Sequence, residues 1–149
     1  MTNKKLLSIL FLVFASLGFL DAAYLAAKYY NGTPVECSLL NGCEAVTTSP
    51  YAAIGGVSIA LLGAIYYFVL LLLGFMYLDS PKRSTLLTLV AITAAGFLAS
   101  LRFVYLQVFV IKALCGYCLL SALSTTVLFS ISIYLWHTRD REEQPGAKV

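Results

Sequence analysis

The chain has 149 residues, 60% of them hydrophobic and 11% charged, with a formal net charge of +3 and a mean hydropathy of +0.88. A soluble domain is about 45–50% apolar and about 25% charged, so an ordinary soluble globule is excluded. Four cysteines are a low count for a disulfide scaffold but suit redox work or a metal site, and the length suits a single domain over residues 1–149.

Residues 6–27 form an apolar run behind Lys4 and Lys5. Its first part resembles the apolar region of a signal peptide, but the run continues beyond that length. A spanning helix needs about 20 residues, so an uncleaved first span is predicted. Residues 28–56 form a polar loop holding Asn31-Gly32-Thr33-Pro34, Cys37, Asn41-Gly42 and Cys43. Its turn residues predict irregular structure as far as Cys43, and a short interfacial helix is expected over 44–54. The second span is predicted over 57–78, with Ser58 near its start. A tight polar turn over 79–84 leads to a third span at 85–110. The fourth span is expected over 115–136, and the charged tail 137–149 is expected to fray. The expected fold is an all-α membrane protein, a four-transmembrane-helix bundle with an outer loop carrying a cysteine pair.

Four spans place both termini on one side. Lys4, Lys5, Lys82, Arg83, Arg139, Arg141 and Lys148 fall on that side, and only Lys28 and Lys112 fall on the other. This asymmetry predicts cytoplasmic termini in a plasma (inner) membrane. Tyr29, Tyr30, Tyr77 and Trp136 sit at span ends, where amphipathic rings prefer the interface. Cys37 and Cys43 in the first outer loop, and Cys115 and Cys118 at the head of the fourth span, then share the extracytoplasmic face, where disulfides form and persist.

Cys115-x-x-Cys118 has the spacing at which two sulfurs close and reopen a small disulfide ring. At a helix start, orphan N–H groups and the helix dipole stabilise a thiolate, making such a pair reactive. Three readings of the four cysteines stand. In a relay, the mobile loop pair exchanges disulfides with the membrane pair, by attack of a thiolate on a disulfide sulfur. In a structural reading, the pairs are staples of a membrane subunit. In a metal reading, four thiolates hold zinc, for which Cys37-x5-Cys43 is loose, or serve as transient ligands in a metal-ion transporter, which lacks cysteines toward the inner side. The lone histidine, His137, lies at the opposite face and reads as an interface residue.

An outer-loop Cys-x5-Cys, Ser49 six residues on, Tyr51 and Gly56 opening a span, and Cys115-x2-Cys118 heading the last span together resemble the vitamin K epoxide reductase family, in its prokaryotic form. DsbB-like oxidoreductases carry their two pairs in the reverse order. The resemblance implies a four-helix bundle around a quinone (ubiquinone, menaquinone or a vitamin K type) that works as a quinone-dependent thiol/disulfide oxidoreductase. It implies that Cys37 exchanges with a thioredoxin-fold, DsbA-like partner and that Cys43 attacks the inner pair. Cys115 would receive that attack, and Cys118 would pass electrons to the quinone, to which Ser49 donates a hydrogen bond. Two departures bear on this. Ser58 stands where many members have proline, but serine is itself a good helix N-cap. Ala122 stands where the vertebrate enzymes carry a tyrosine, which favours plain quinone reduction over epoxide reduction. Some members carry a fused thioredoxin-like domain. Thirteen residues follow Trp136, so a separate partner is expected.

Asp21 and Arg102 are the charges inside spans, roughly 9–12 Å below the outer boundary at 1.5 Å per residue. Similar depth predicts that they pair; otherwise each meets water or snorkels separately. Gly18, Gly63, Gly74 and Gly96, with Ala94, Ala95 and Ala99, predict close helix packing. Phe97, Phe103, Tyr105 and Phe109 read as packing or lipid contacts rather than a cofactor box, with one or two of them open to a place along a quinone pocket. Ser100, Ser121, Ser124, Thr125 and Thr126 read as helix–helix hydrogen-bonders.

Overall fold

A computed structural model describes residues 2–37 and 42–143; Asn41 of the expected Asn41-Gly42 turn, Lys148 and the end of the tail lie outside the described residues. The first helix, α1 (Thr2–Asn31), is longer than the apolar run at both ends. Thirty residues span about 45 Å, more than the roughly 30 Å hydrocarbon core, so its ends emerge from it. Gly32, at φ +63°, ends α1: its N–H reaches the Tyr29 carbonyl at 3.3 Å and the Thr33 N–H reaches that of Lys28 at 3.2 Å. This is the double bond of a Schellman cap, so Asn31-Gly32 terminates a helix.

The loop helix is shorter than expected. Helix α2 covers only Cys43–Thr47, and residues 53–58 form a hairpin, not helix. Strand β1 (Ala53–Ile54) pairs antiparallel with β2 (Val57–Ser58), in register Ala53 with Ser58 and Ile54 with Val57. Gly55 and Gly56, at φ +59° and +84°, make the two-residue turn, for which this glycine pair is suited. Ser58 then caps α3 (Ile59–Asp79), its hydroxyl accepting the Ala60 N–H at 3.2 Å as expected.

Helix α4 (Arg83–Tyr105) does not run on as α-helix to residue 110. It changes to a π-helical segment, Leu106–Ile111, closed by Lys112 in the left-handed region at φ +55°. Helix α5 (Gly116–Glu143) follows one residue after Cys115. Four helices are long and apolar enough to cross a membrane, and their outer faces expose Leu20, Ile65, Phe75, Leu98 and Leu123.

The four long helices form a ring in which α1 lies between α3 and α5, and α4 lies against α5 and, more loosely, α3. The inner core joins Phe11, Ala15, Tyr67, Leu70, Leu86, Leu89, Leu128 and Leu135. The expected glycine packing is found at three sites. Gly18 faces the Tyr67 ring, Gly74 faces Phe11 and Leu12, and Gly96 faces the Tyr66 ring, all closer than a Cβ would allow. Tyr67 crosses the bundle, and its hydroxyl meets the Ser121 carbonyl, the Ser121 hydroxyl and the Thr125 hydroxyl at 2.8–2.9 Å. The Thr126 hydroxyl, by contrast, donates to the Ala122 carbonyl of its own helix.

The tail stays helical through Glu143 rather than fraying at residue 137. Lys4 pairs with Glu142 at 2.5 Å, Arg83 with Asp140 at 3.6 Å, and Arg139 donates to the Pro81 carbonyl at 2.5 Å. Exposed pairs contribute little singly, about 0–1 kcal/mol. Together they tie the ends of α1, α4 and α5 at the pole opposite the cysteines.

Candidate redox site

A second apolar cluster lies at the other pole. Cys43 and Cys115 are its centre, at 1% and 0% exposure, with Leu25 and Val35. Cys37, Cys118, Val46, Ala60 and Tyr117 pack around them. Cys37 and Cys43 form a disulfide with Cα atoms 5.9 Å apart, while Cys115 and Cys118 are free thiols. Two pairs separated by about half of the chain thus share one cluster.

Two backbone features make this approach possible. Gly42, just before Cys43, lies against the backbone of the segment leading to Cys115. A Cβ there would come within 2.6 Å of the Leu114 amide nitrogen and 3.1 Å of the Ala113 carbonyl carbon. On the other side, the π-helical segment carries Gln107 into the interior, at 2% exposure. Its side-chain oxygen accepts the Cys115 N–H at 3.0 Å, and its backbone carbonyl accepts the Ala113 N–H at 3.1 Å. The otherwise irregular segment between α4 and α5 is held through this residue.

Cys115 occupies the position of a helix N-cap. Its sulfur accepts the Cys118 N–H at 3.3 Å, as a serine oxygen does in an ordinary cap. The N–H donor at the start of α5 therefore serves Cys115, and the Cys118 sulfur lies within the first turn. Cys115 precedes the spanning helix. The Cys118 thiol beside it lowers its pKa, burial opposes this, and the Cys118 backbone N–H lowers it further.

Beside the cluster is a cavity of about 580 Å³ between α1, α3, α4 and α5, closed on the loop side by residues of α2 and the hairpin. Small residues open it: Ala22, Gly63, Ala95, Gly96 and Ala99 line its walls. Of the four cysteines, Cys118 lines it. Cys118 therefore touches both the sulfur cluster and the cavity.

Most of the cavity surface is apolar, although Tyr67, Ser100, Gln107, Ser121 and Thr125 also line it. Ser49 lines it, but its hydroxyl donates to the Val46 carbonyl at 2.7 Å, so a bond to a ligand requires the hydroxyl to turn away. Tyr66 lines it with a buried hydroxyl that has no hydrogen-bond partner. Asp21 lines it at 8% exposure with both carboxyl oxygens unpartnered. The expected Asp21–Arg102 pair is not formed. Both residues line the cavity, from α1 and α4 respectively, and Arg102 is exposed. Shared depth did not bring them together, because α1 and α4 are opposite members of the ring. A mainly apolar pocket with one orphaned hydroxyl, that of Tyr66, has the character of a site for a flat apolar ring bearing an acceptor.

Sequence reasoning overlooked Gln107, Tyr66 and Tyr67. Gln107 had a signal, as an uncharged amide in an apolar span needs a buried partner. The two tyrosines had none beyond their type.

A sequence model of the Vitamin K epoxide reductase family matches residues 9–133, a stretch that contains all four cysteines, Ser49 and the whole cavity lining. No curated protein matches the chain.

Proposed function

This chain belongs to the vitamin K epoxide reductase family, a family of membrane thiol–disulfide oxidoreductases, and on that premise we propose that it carries electrons from an extracytoplasmic thioredoxin-fold protein to a membrane quinone. The observation that supports this most is the placement of Cys118 between the sulfur cluster and the cavity.

The relay runs through disulfide exchange. A thiolate of the reduced, DsbA-like partner attacks the half-buried Cys37, and the Cys37–Cys43 bond opens. The partner's second thiol releases the partner as a disulfide and leaves Cys37 and Cys43 reduced. With the inner pair oxidised, the Cys43 thiolate attacks Cys115, and the Cys118 thiolate leaves. Cys37 then attacks Cys43, restoring the loop disulfide and freeing Cys115 as a thiolate held by the Cys118 N–H. Bound in the cavity, the quinone supplies an acceptor for two electrons and two protons. Cys115 and Cys118 give up the electron pair as their disulfide reforms. Ser49 and Tyr66 hold the ring, Ser49 after turning its hydroxyl from the Val46 carbonyl. Ala122 lines the same cavity and brings no phenol to it, which supports plain quinone reduction over epoxide reduction.

The direction of flow rests on sidedness. Lys4, Lys5, Lys82, Arg83, Arg139 and Arg141 gather at the pole of the termini, which this reading places in the cytoplasm. The cysteines then face the compartment in which disulfides are made.

The test is purified protein with a reduced thioredoxin-fold oxidant and a quinone, followed by quinone absorbance. Cys43→Ala is expected to trap the partner on Cys37, and Cys118→Ala to abolish quinone reduction while keeping partner exchange. Full quinone reduction by Cys118→Ala would contradict the proposal.

A further inference from the structure

We infer that Asp21 is the proton donor to one oxygen of the quinone, an inference that rests on the quinone-reductase reading above. Asp21 sits in the middle of a membrane-spanning helix, is more than nine-tenths buried, and has neither a hydrogen-bond partner nor an ion pair for its carboxyl oxygens. A buried carboxyl without partners in a spanning segment is costly and marks function by default. The obvious structural explanations are absent at this position. The Lys28 ammonium, one loop-ward cation on the same helix, lies over the Tyr24 ring at 5.8 Å. Arg102 lines the cavity without reaching the carboxyl. What Asp21 does share is a cavity with Cys118 and with the unpartnered Tyr66 hydroxyl.

The chemistry asks for such a group. As the Cys115–Cys118 bond forms, the two sulfurs lose one electron pair, and the quinone takes that pair together with two protons. The deep wall of the cavity is apolar, with Ala22, Gly63, Ala95 and Ala99, so a quinone oxygen lying there takes its proton from a side chain. Asp21 in its acid form gives its proton to one quinone oxygen and is reset by the proton of the Cys118 thiol. The second oxygen is protonated by water at the loop side, which balances the proton that the loop thiols released to water when Cys115 was freed as a thiolate. Two electrons and two protons leave the sulfurs, and two of each arrive.

The experiment is a single turnover of pre-reduced protein in detergent with quinone, alongside a separate measurement of partner exchange without quinone. Asp21→Asn is expected to slow the quinone step by about a hundredfold or more, the usual effect of losing a general acid. Its KM for quinone and its exchange rate with the partner should stay within about twofold of wild type, and Asp21→Glu should recover most of the rate, as expected of a lost general acid. The wild-type quinone step should slow about twofold or more in deuterated water, as proton transfer in the transition state requires. Three outcomes overturn the inference alone: wild-type speed in Asp21→Asn, no deuterium effect on a wild type that reduces quinone, or equal losses in Asn and Glu variants with a matching rise in KM. A wild type that reduces no quinone overturns the functional reading and this inference with it.

Discussion

The side-chain oxygen of Gln107 accepts the backbone N–H of Cys115 at 3.0 Å, joining the end of the third span to the sulfur at the head of the fourth. Both groups are buried, at 2% and 0% exposure. Gln107→Leu would keep the volume and remove the acceptor, stranding a buried N–H. The expected cost is about 1–3 kcal/mol, read as a lowered unfolding midpoint of the detergent-solubilised protein. Gln107→Glu keeps the acceptor and should lose less of it. Equal midpoints for the Leu variant and wild type would mean that another group satisfies the Cys115 N–H.

Gly42→Ala should uncouple the two cysteine pairs. The added Cβ meets main chain at Leu114, which cannot swing aside as a side chain can. Overpacking of this kind costs about 1–3 kcal/mol, so the docked arrangement should become roughly fivefold to a hundredfold rarer. The expected result is slower electron transfer from a reduced loop pair to the inner pair. Quinone reduction by protein whose inner pair was reduced chemically should be unaffected. An unchanged loop-to-inner-pair rate would show that Cys43 reaches Cys115 by another approach.

Tyr67→Phe removes a hydroxyl that meets Ser121 twice and Thr125 once across the bundle. Thr125 retains its bond to the Ser121 carbonyl at 3.0 Å, and the Ser121 hydroxyl, which loses its partner, is only half-buried. The loss should therefore be modest, about 0.5–1.5 kcal/mol in the unfolding of detergent-solubilised protein. A loss much larger than this would mean that the ring shifts against Gly18 as well.

Sidedness is tested by single cysteines introduced into a cysteine-free chain. Lys5→Cys and Lys82→Cys should react with an impermeant maleimide only after the cells are opened. Lys112→Cys, exposed at the other pole, should react in intact cells. The reverse pattern would invert the proposed topology.

The spans were legible because each is apolar on all sides for longer than a soluble helix tolerates. Lysine and arginine placement gives an expectation for the sides of the membrane, which the cysteine labelling above tests. Ser58 was legible as a cap because its role is local. The hairpin was not, because Gly55-Gly56 sits inside a stretch whose neighbours also suit a helix. The tail was misjudged for a related reason. Its charges read as a solvated end, whereas Lys4, Arg83 and the Pro81 carbonyl, all distant in sequence, hold it helical.

The four cysteines and Ser49 were visible as a pattern, yet their arrangement in space was not. That Cys43 and Cys115 share a buried cluster depends on Gly42 and on a π-helical turn, neither of which carries a period a sequence can display. Asp21 and Arg102 show the limit of arguing from depth alone. Equal depth fixes a height in the bilayer and leaves the direction around the bundle open, and the ring order puts α1 and α4 across from each other.

The π-helical turn at Leu106–Ile111 also fixes how this stretch can tolerate insertions and deletions. Such a turn closes its hydrogen bonds one residue later than an α-helix does. Removing the one extra residue would let α geometry resume with little change of phase, whereas each further residue removed rotates everything beyond it by about 100° and shortens the path by about 1.5 Å. Cys115 would then leave its place beneath the loop although every cysteine was still present. Length, as well as chemistry, is thus under constraint between the third and fourth spans.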